Sequence, residues 1–196
     1  MKRRLGTLLV VMAAISAAVL GYLYFAMNNA GAPLAGGAIG GPIHLTAADG
    51  TVFDSASLKG KPYAVYFGFT HCPEACPTTL SEISRTTEQI GAPAKDFITL
   101  FITIDPERDT PALMKDYVSN FTGNIIGLTG TPDEVASVAK EFRVYYKKVP
   151  TSDGSYTMDH TAVVYLMDRN GTFDSVIPYS DGHDAYVEKI KNLLAR

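Results

Sequence analysis

The sequence predicts an α/β domain, and three observations carry that reading. Three runs, Tyr63 to Phe69, Phe97 to Ile104 and Thr161 to Met167, are dominated by apolar and aromatic residues, as strands buried on both faces are. Segments with apolar residues at helical spacing lie between such runs. The only two cysteines in 196 residues, Cys72 and Cys76, follow the first run directly, where a strand would hand over to a helix.

The elements follow in order. Ile43-His44-Leu45 and Thr51-Val52-Phe53 read as a hairpin turning at Asp49-Gly50. Tyr63 to Phe69 is a central strand. Pro77 is at home in a helix's first turn, so a helix begins around Cys76 and runs through Leu80, Ile83 and Thr87 to Gly91. Phe97 to Ile104 is the second buried strand. Asp109-Thr110-Pro111 marks a helix start with Asp109 as its cap, and Leu113, Tyr117 and Phe121 keep helical spacing. Ile125 to Leu128 is a short strand. Thr131-Pro132-Asp133-Glu134 is a capping box, opening a helix with Val135, Val138, Ala139 and Phe142. Arg143 to Val149 alternates as a strand. Thr161 to Met167 turns at Asp168-Arg169-Asn170-Gly171 into Thr172 to Ile177, and a last helix carries Tyr186, Ile190, Leu193 and Leu194. Strand, two-cysteine segment, helix and later strands is the order of thioredoxin-like folds. In such sheets ligands bind beyond the carboxyl ends of the strands, where the cysteines fall.

The start of the chain has another composition. Lys2, Arg3 and Arg4 precede 21 uncharged residues, Leu5 to Phe25. As a helix these would span about 31 Å, close to a bilayer core. Residues 1–27 therefore read as one uncleaved transmembrane anchor with a cytoplasmic N-terminus. Asn29-Ala30-Gly31-Ala32 is a weaker alternative, a cleavage site. Residues 28–42, with five Gly, four Ala and two Pro, read as a flexible tether spanning about 20 Å. Residues 43–196 then form one ordinary domain. All 20 acidic residues and 14 of the 17 basic ones follow the anchor, a net charge of −6. That argues against nucleic acid, which needs a basic face, and suits a cation or a basic partner.

Two thiols with only three residues between them make a poor staple. Closing so short a loop is worth about 2 kcal/mol, against roughly 5 for a hundred-residue loop. Redox exchange or metal binding explains the pair better. Two thiolates favour Cu(I), zinc or iron–sulfur clusters. A cluster, or a closed zinc site, wants four ligands. Two thiolates with one imidazole suit copper or an open zinc site. His44, His71, His160 and His183 are the candidate imidazoles. His44 and His183 read as surface or capping residues. His71 adjoins Cys72 but can point away, and the 84-residue separation of His160 from Cys76 says nothing about proximity. Asp105-Pro106-Glu107-Arg108-Asp109-Thr110 is a second cluster at a strand's carboxyl edge. It reads equally as a turn and helix cap, or as acidity that attracts a cation or holds Arg108.

Longer motifs add a resemblance. They are Tyr66-Phe67-Gly68-Phe69-Thr70-His71-Cys72-Pro73 through Cys76-Pro77-Thr78-Thr79-Leu80, Thr103-Ile104-Asp105-Pro106-Glu107-Arg108-Asp109-Thr110, Gly127-Leu128-Thr129-Gly130-Thr131, Tyr145-Tyr146-Lys147-Lys148-Val149, and Asp159-His160 before Tyr165-Leu166. In this order, from about Pro42 to Ile177, the chain resembles the Sco/SenC proteins, membrane-anchored copper proteins of cytochrome c oxidase assembly. The resemblance implies a thioredoxin-like fold with an inserted hairpin after the region of the capping-box helix. It implies copper held by residues matching Cys72, Cys76 and His160, with Asp105, Asp109 and His71 standing behind them. Thioredoxins carry a cis-proline opposite the cysteines; no proline precedes Thr161 here, and His160 takes that place.

The implied role is delivery of copper, not enzymatic turnover. The recipient would be the binuclear copper A centre of oxidase subunit II, supplied by a periplasmic copper donor. The anchor would sit in a bacterial inner membrane with the domain periplasmic. The alternatives are a thiol–disulfide oxidoreductase that keeps the subunit II cysteines reduced, with Cys72 and Cys76 as a redox-active disulfide, and a redox or copper sensor. A peroxiredoxin-like activity is disfavoured, since Phe69 stands where those enzymes place a threonine.

Overall fold

The structure, a computed structural model, describes residues 39–196. The expected anchor and most of the tether lie outside the described residues. Among these, no helix is long and apolar enough to cross a membrane. Residues 39–42, assigned by composition to the tether, already touch the domain. Ile39 packs on the core, and Gly40 N–H donates to the Glu141 carbonyl at 2.9 Å.

The hairpin β1 (His44–Ala47) and β2 (Val52–Asp54) forms as predicted, with Asp49 Oδ1 accepting from Thr51 N–H in the turn. It joins the edge of a seven-stranded sheet. β3 (Tyr63–Gly68), β4 (Ile98–Thr103) and β5 (Asn124–Thr129) run parallel at its centre. β8 (Val163–Met167) pairs antiparallel with β3, and β9 (Phe173–Pro178) antiparallel with β8, which gives the order β2-β1-β5-β4-β3-β8-β9. Every residue of β3 is buried, which is why that strand reads as an unbroken apolar run rather than an alternating one. Tyr66 stacks on Phe101 on one face; Phe67 meets Phe142 and Tyr165 on the other.

Helix α1 (Ala75–Ile90) follows β3 and turns Cys76, Leu80 and Ile83 inward. It ends at Gly91, whose φ of +71° a side chain would resist. α2 (Pro111–Val118) packs beside β5, and α4 (His183–Leu194) beside α1. α3 (Pro132–Glu141) opens with the predicted capping box: Thr131 Oγ1 accepts from Glu134 N–H, and Glu134 Oε2 accepts from Thr131 N–H.

The structure departs from the sequence reading in three further places. The cap of α2 is Thr110, whose hydroxyl accepts from Leu113 N–H; Asp109 is fully buried and does other work. The strand expected from Arg143 begins at Tyr146, because Arg143 takes a φ of +56° and turns Val144 back toward the core. β6 (Tyr146–Pro150) then pairs with β7 (Tyr156–His160), a strand that periodicity did not reveal. These two form a separate two-stranded sheet, the inserted hairpin that the resemblance implied.

Candidate metal centre

β3 ends at Gly68, and the chain leaves the sheet through Phe69, Thr70 and His71 to reach Cys72. Cys72 N–H donates to the Phe69 carbonyl at 3.2 Å, closing a tight turn. Glu74 caps α1 without a side-chain hydrogen bond; the Cys72 sulfur does that work, accepting Cys76 N–H at 3.3 Å. An acceptor there meets both an unpaired amide and the positive end of the helix. Cys76, in the first turn of α1, is fully buried beneath Cys72, and neither cysteine is in a disulfide.

His160 closes β7 and comes over the same spot. Its Nε2 lies 3.8 Å from Cys76 Sγ. Its Nδ1 lies 3.1 Å from the Thr161 carbonyl, which can only accept, so the ring proton sits on Nδ1. Nε2 is thereby left as a lone pair facing the sulfurs. The ring is wedged edge-on between Phe69 and Tyr66. The ligand atoms of Cys72, Cys76 and His160 all lie within 4.8 Å of one another. Among the described residues no other three Cys, His or carboxylate groups converge so closely. A shallow cleft of about 350 Å³, lined by Phe69, Pro73, Glu74, Met158 and Tyr179, opens onto them.

The two thiols are unequal. Cys72 is pushed down to about 4, first by the hydrogen bond with Cys76 and then by the backbone amides of Cys76 and Glu74, which outweigh the opposing effect of burial. Cys76 moves up, because the Cys72 sulfur takes its proton's hydrogen bond and because it is buried. The pair therefore keeps one proton, on Cys76, at neutral pH. Tyr66, to which the sequence reading gave no part in the site, lies 3.8 Å from Cys76 Sγ through its hydroxyl, whose pKa burial and that thiol raise.

The residues expected to stand behind the ligands are sorted by the structure. Asp109 holds the loop before Cys72: its carboxylate accepts Thr70 N–H at 3.0 Å and the Thr70 and Thr103 hydroxyls at 2.6 Å. His71 turns toward that carboxylate, 3.8 Å away, half exposed and outside the ligand cluster. Asp105 touches none of the three ligands. It binds Arg108, and it accepts the hydroxyl of Tyr156, at the start of the strand that ends in His160, at 2.8 Å. His44 pairs with Asp54, and His183 lies between Glu82 and Gln89, both away from the cluster. Spacing offered no route to Tyr156, 51 residues from Asp105.

The SCO1/SenC family model matches residues 31–195. The chain belongs to the SCO1/SenC family. It is 41% identical over 137 residues to a SCO2-like protein of Rickettsia prowazekii, a match covering 69% of this chain and 67% of that one. Among solved structures it is similar to Bradyrhizobium japonicum ScoI with copper bound: 49% identity and TM-score 0.73, over 80% of this chain and 99% of that one. Arabidopsis thaliana ScoI with copper bound gives 38% identity and TM-score 0.76, over 81% and 99%. The thioredoxin-like α/β architecture is common to these SCO1/SenC neighbours.

Proposed function

We propose that this SCO1/SenC protein is a copper carrier that receives the metal from a periplasmic donor and helps assemble the binuclear copper A centre of cytochrome c oxidase subunit II. The observation that carries the reading is the convergence of Cys72, Cys76 and His160 within 4.8 Å. The donor set fits copper. One thiolate, a thiol that loses its proton on metallation, and a neutral imidazole lone pair form a soft, three-ligand set with room beside it. Fewer than four protein ligands leaves the metal open to attack from the cleft, so a recipient's thiolates and imidazoles can replace these ligands stepwise. In this reading copper is cargo rather than a resident cofactor, and the protein is not an enzyme in the turnover sense. Residues 1–27 anchor it in a bacterial inner membrane, with the domain on the periplasmic side.

The test is copper stoichiometry and oxidation state in the reduced full chain, for wild type and His160→Ala. The expected result is one tightly held copper in the wild type, and affinity at least about tenfold weaker in His160→Ala. Weak, substoichiometric binding in the wild type would remove the reading.

The inequality of the two thiols favours a second reading, thiol–disulfide exchange on the cysteines of subunit II. The Cys72 thiolate attacks one sulfur of a partner disulfide and expels the other as a thiolate. Cys76, giving up its proton, then attacks Cys72, forms the Cys72–Cys76 disulfide and frees the second partner thiol. This route needs both cysteines but not the metal-binding capacity of His160. A His160→Ala protein with full assembly activity would favour it over copper delivery.

A further inference from the structure

His160 is the ligand whose position depends most on distant structure. It sits on the β6–β7 hairpin, which forms a two-stranded sheet outside the central one. At the far end of β7, Tyr156 meets an ion pair whose carboxylate is buried and whose guanidinium is partly exposed. Asp105, only 1% exposed, binds Arg108 Nε through one oxygen and accepts the Tyr156 hydroxyl at 2.8 Å through the other. Arg108 Nη1 donates to the Tyr156 carbonyl at 2.9 Å, and its guanidinium lies 3.8 Å from the centre of the Tyr156 ring. Tyr156 is thus gripped at three points: hydroxyl, ring face and backbone. On the facing strand, Lys148 pairs with Glu107 of the same loop at 2.5 Å. β4 delivers that loop, so these polar contacts tie the hairpin to the central sheet roughly 13 Å along β7 from His160, and Met158 between them packs into the core.

We propose that Asp105, Arg108 and Tyr156 form a clamp that holds the hairpin down and so holds His160 against the two cysteines. The inference rests on the copper reading for its consequence, since a released hairpin would turn a three-ligand site into a two-sulfur one. The three are positioning residues and none touches the ligands. Asp105 needs both partners for a physical reason: a buried carboxylate is stable only when its oxygens are hydrogen-bonded. Arg108 meets the geometry because its planar fork reaches the carboxylate through Nε and a carbonyl through Nη1 while its face lies on the Tyr156 ring, an arrangement that a compact ammonium does not reproduce.

The test uses the full chain, with Tyr156→Phe, which removes one hydroxyl, and Arg108→Lys, which keeps the charge but not the fork. Metal-free protein is followed by amide hydrogen exchange, and Cu(II)-loaded protein by the nitrogen couplings of the bound imidazole in electron paramagnetic resonance. In both variants we expect exchange in the β6–β7 hairpin to speed by about tenfold or more, while β3 and β4 keep their protection. We also expect the nitrogen couplings to weaken. If either variant fails to fold, the other decides. Wild-type hairpin exchange together with wild-type nitrogen couplings would overturn the clamp. So would an equal loss of protection in β3 and β4, which would make the contacts merely structural. If His160→Ala gives the same copper spectrum as the wild type, the copper reading fails instead, and hydrogen exchange still judges the clamp.

Discussion

Cys72 accepts a backbone amide at the start of α1 and lies beside a thiol and an imidazole, whereas Cys76 is fully buried under it. Both surroundings act on the ionised form. Hydrogen-bond donors and the helix terminus favour the Cys72 thiolate; burial and the neighbouring sulfur disfavour a second one. With its pKa pushed down to about 4, Cys72 stays ionised from pH 8 to pH 6, and its thiolate is lost only as the pH falls toward 4. Alkylation by iodoacetamide in the reduced, metal-free chain should therefore modify Cys72 at a nearly constant rate between pH 8 and pH 6. Over the same interval an ordinary thiol slows by roughly tenfold per unit. Cys76→Ala removes the largest cause of the shift and should restore that steep dependence, which peptide mass mapping at each pH would read. The pairing of Cys72 with Cys76 was legible from their spacing; their inequality was not, because it comes from which of them the fold buries.

At the scale of elements, the site exists because a strand and a helix approach unusually closely. Gly68 ends β3 beneath the first turn of α1, and a Cβ there would stand 2.7 Å from both Cys76 Sγ and the Phe101 ring. Neither neighbour has room to withdraw, since both are fully buried. Gly68→Ala should destabilise the domain by about 1–3 kcal/mol, as overpacking does, and displace Cys76 enough to weaken copper binding. Denaturant unfolding and copper titration of the same variant would check both; wild-type values in each would show that the approach is not tight. Periodicity and caps revealed β3, α1 and the capping box of α3, because those signals lie within a few residues. They missed β7 and misassigned the α2 cap. Asp109 looks like a cap in sequence, yet its carboxylate is spent on Thr70 and Thr103, which folding brings to it.

Across the whole molecule, three ligands come from two regions of the chain, so a bound metal cross-links the α1 terminus to the β6–β7 hairpin. A ligand that binds the folded state alone stabilises it by about 2.7 kcal/mol at a hundred times its dissociation constant. For a domain of this size that is about 5–10 °C in the thermal midpoint. Copper should raise the midpoint of the reduced full chain by about this amount, a copper chelator should reverse the rise, and His160→Ala should reduce it. No rise at saturating copper would contradict a site that bridges the two regions. By itself, the sequence determined the α/β alternation, the central strands and the two-thiol segment at a strand's carboxyl edge. Each of these is written in residues close together in the chain. The approach of the third donor to the sulfurs, and what holds it there, only the tertiary structure decided. His160 reaches Cys76 across 84 residues through the register of one hairpin and the grip of Asp105 and Arg108 on Tyr156. Those are contacts between distant segments, whose energies depend on the folded geometry and leave no local pattern in the chain.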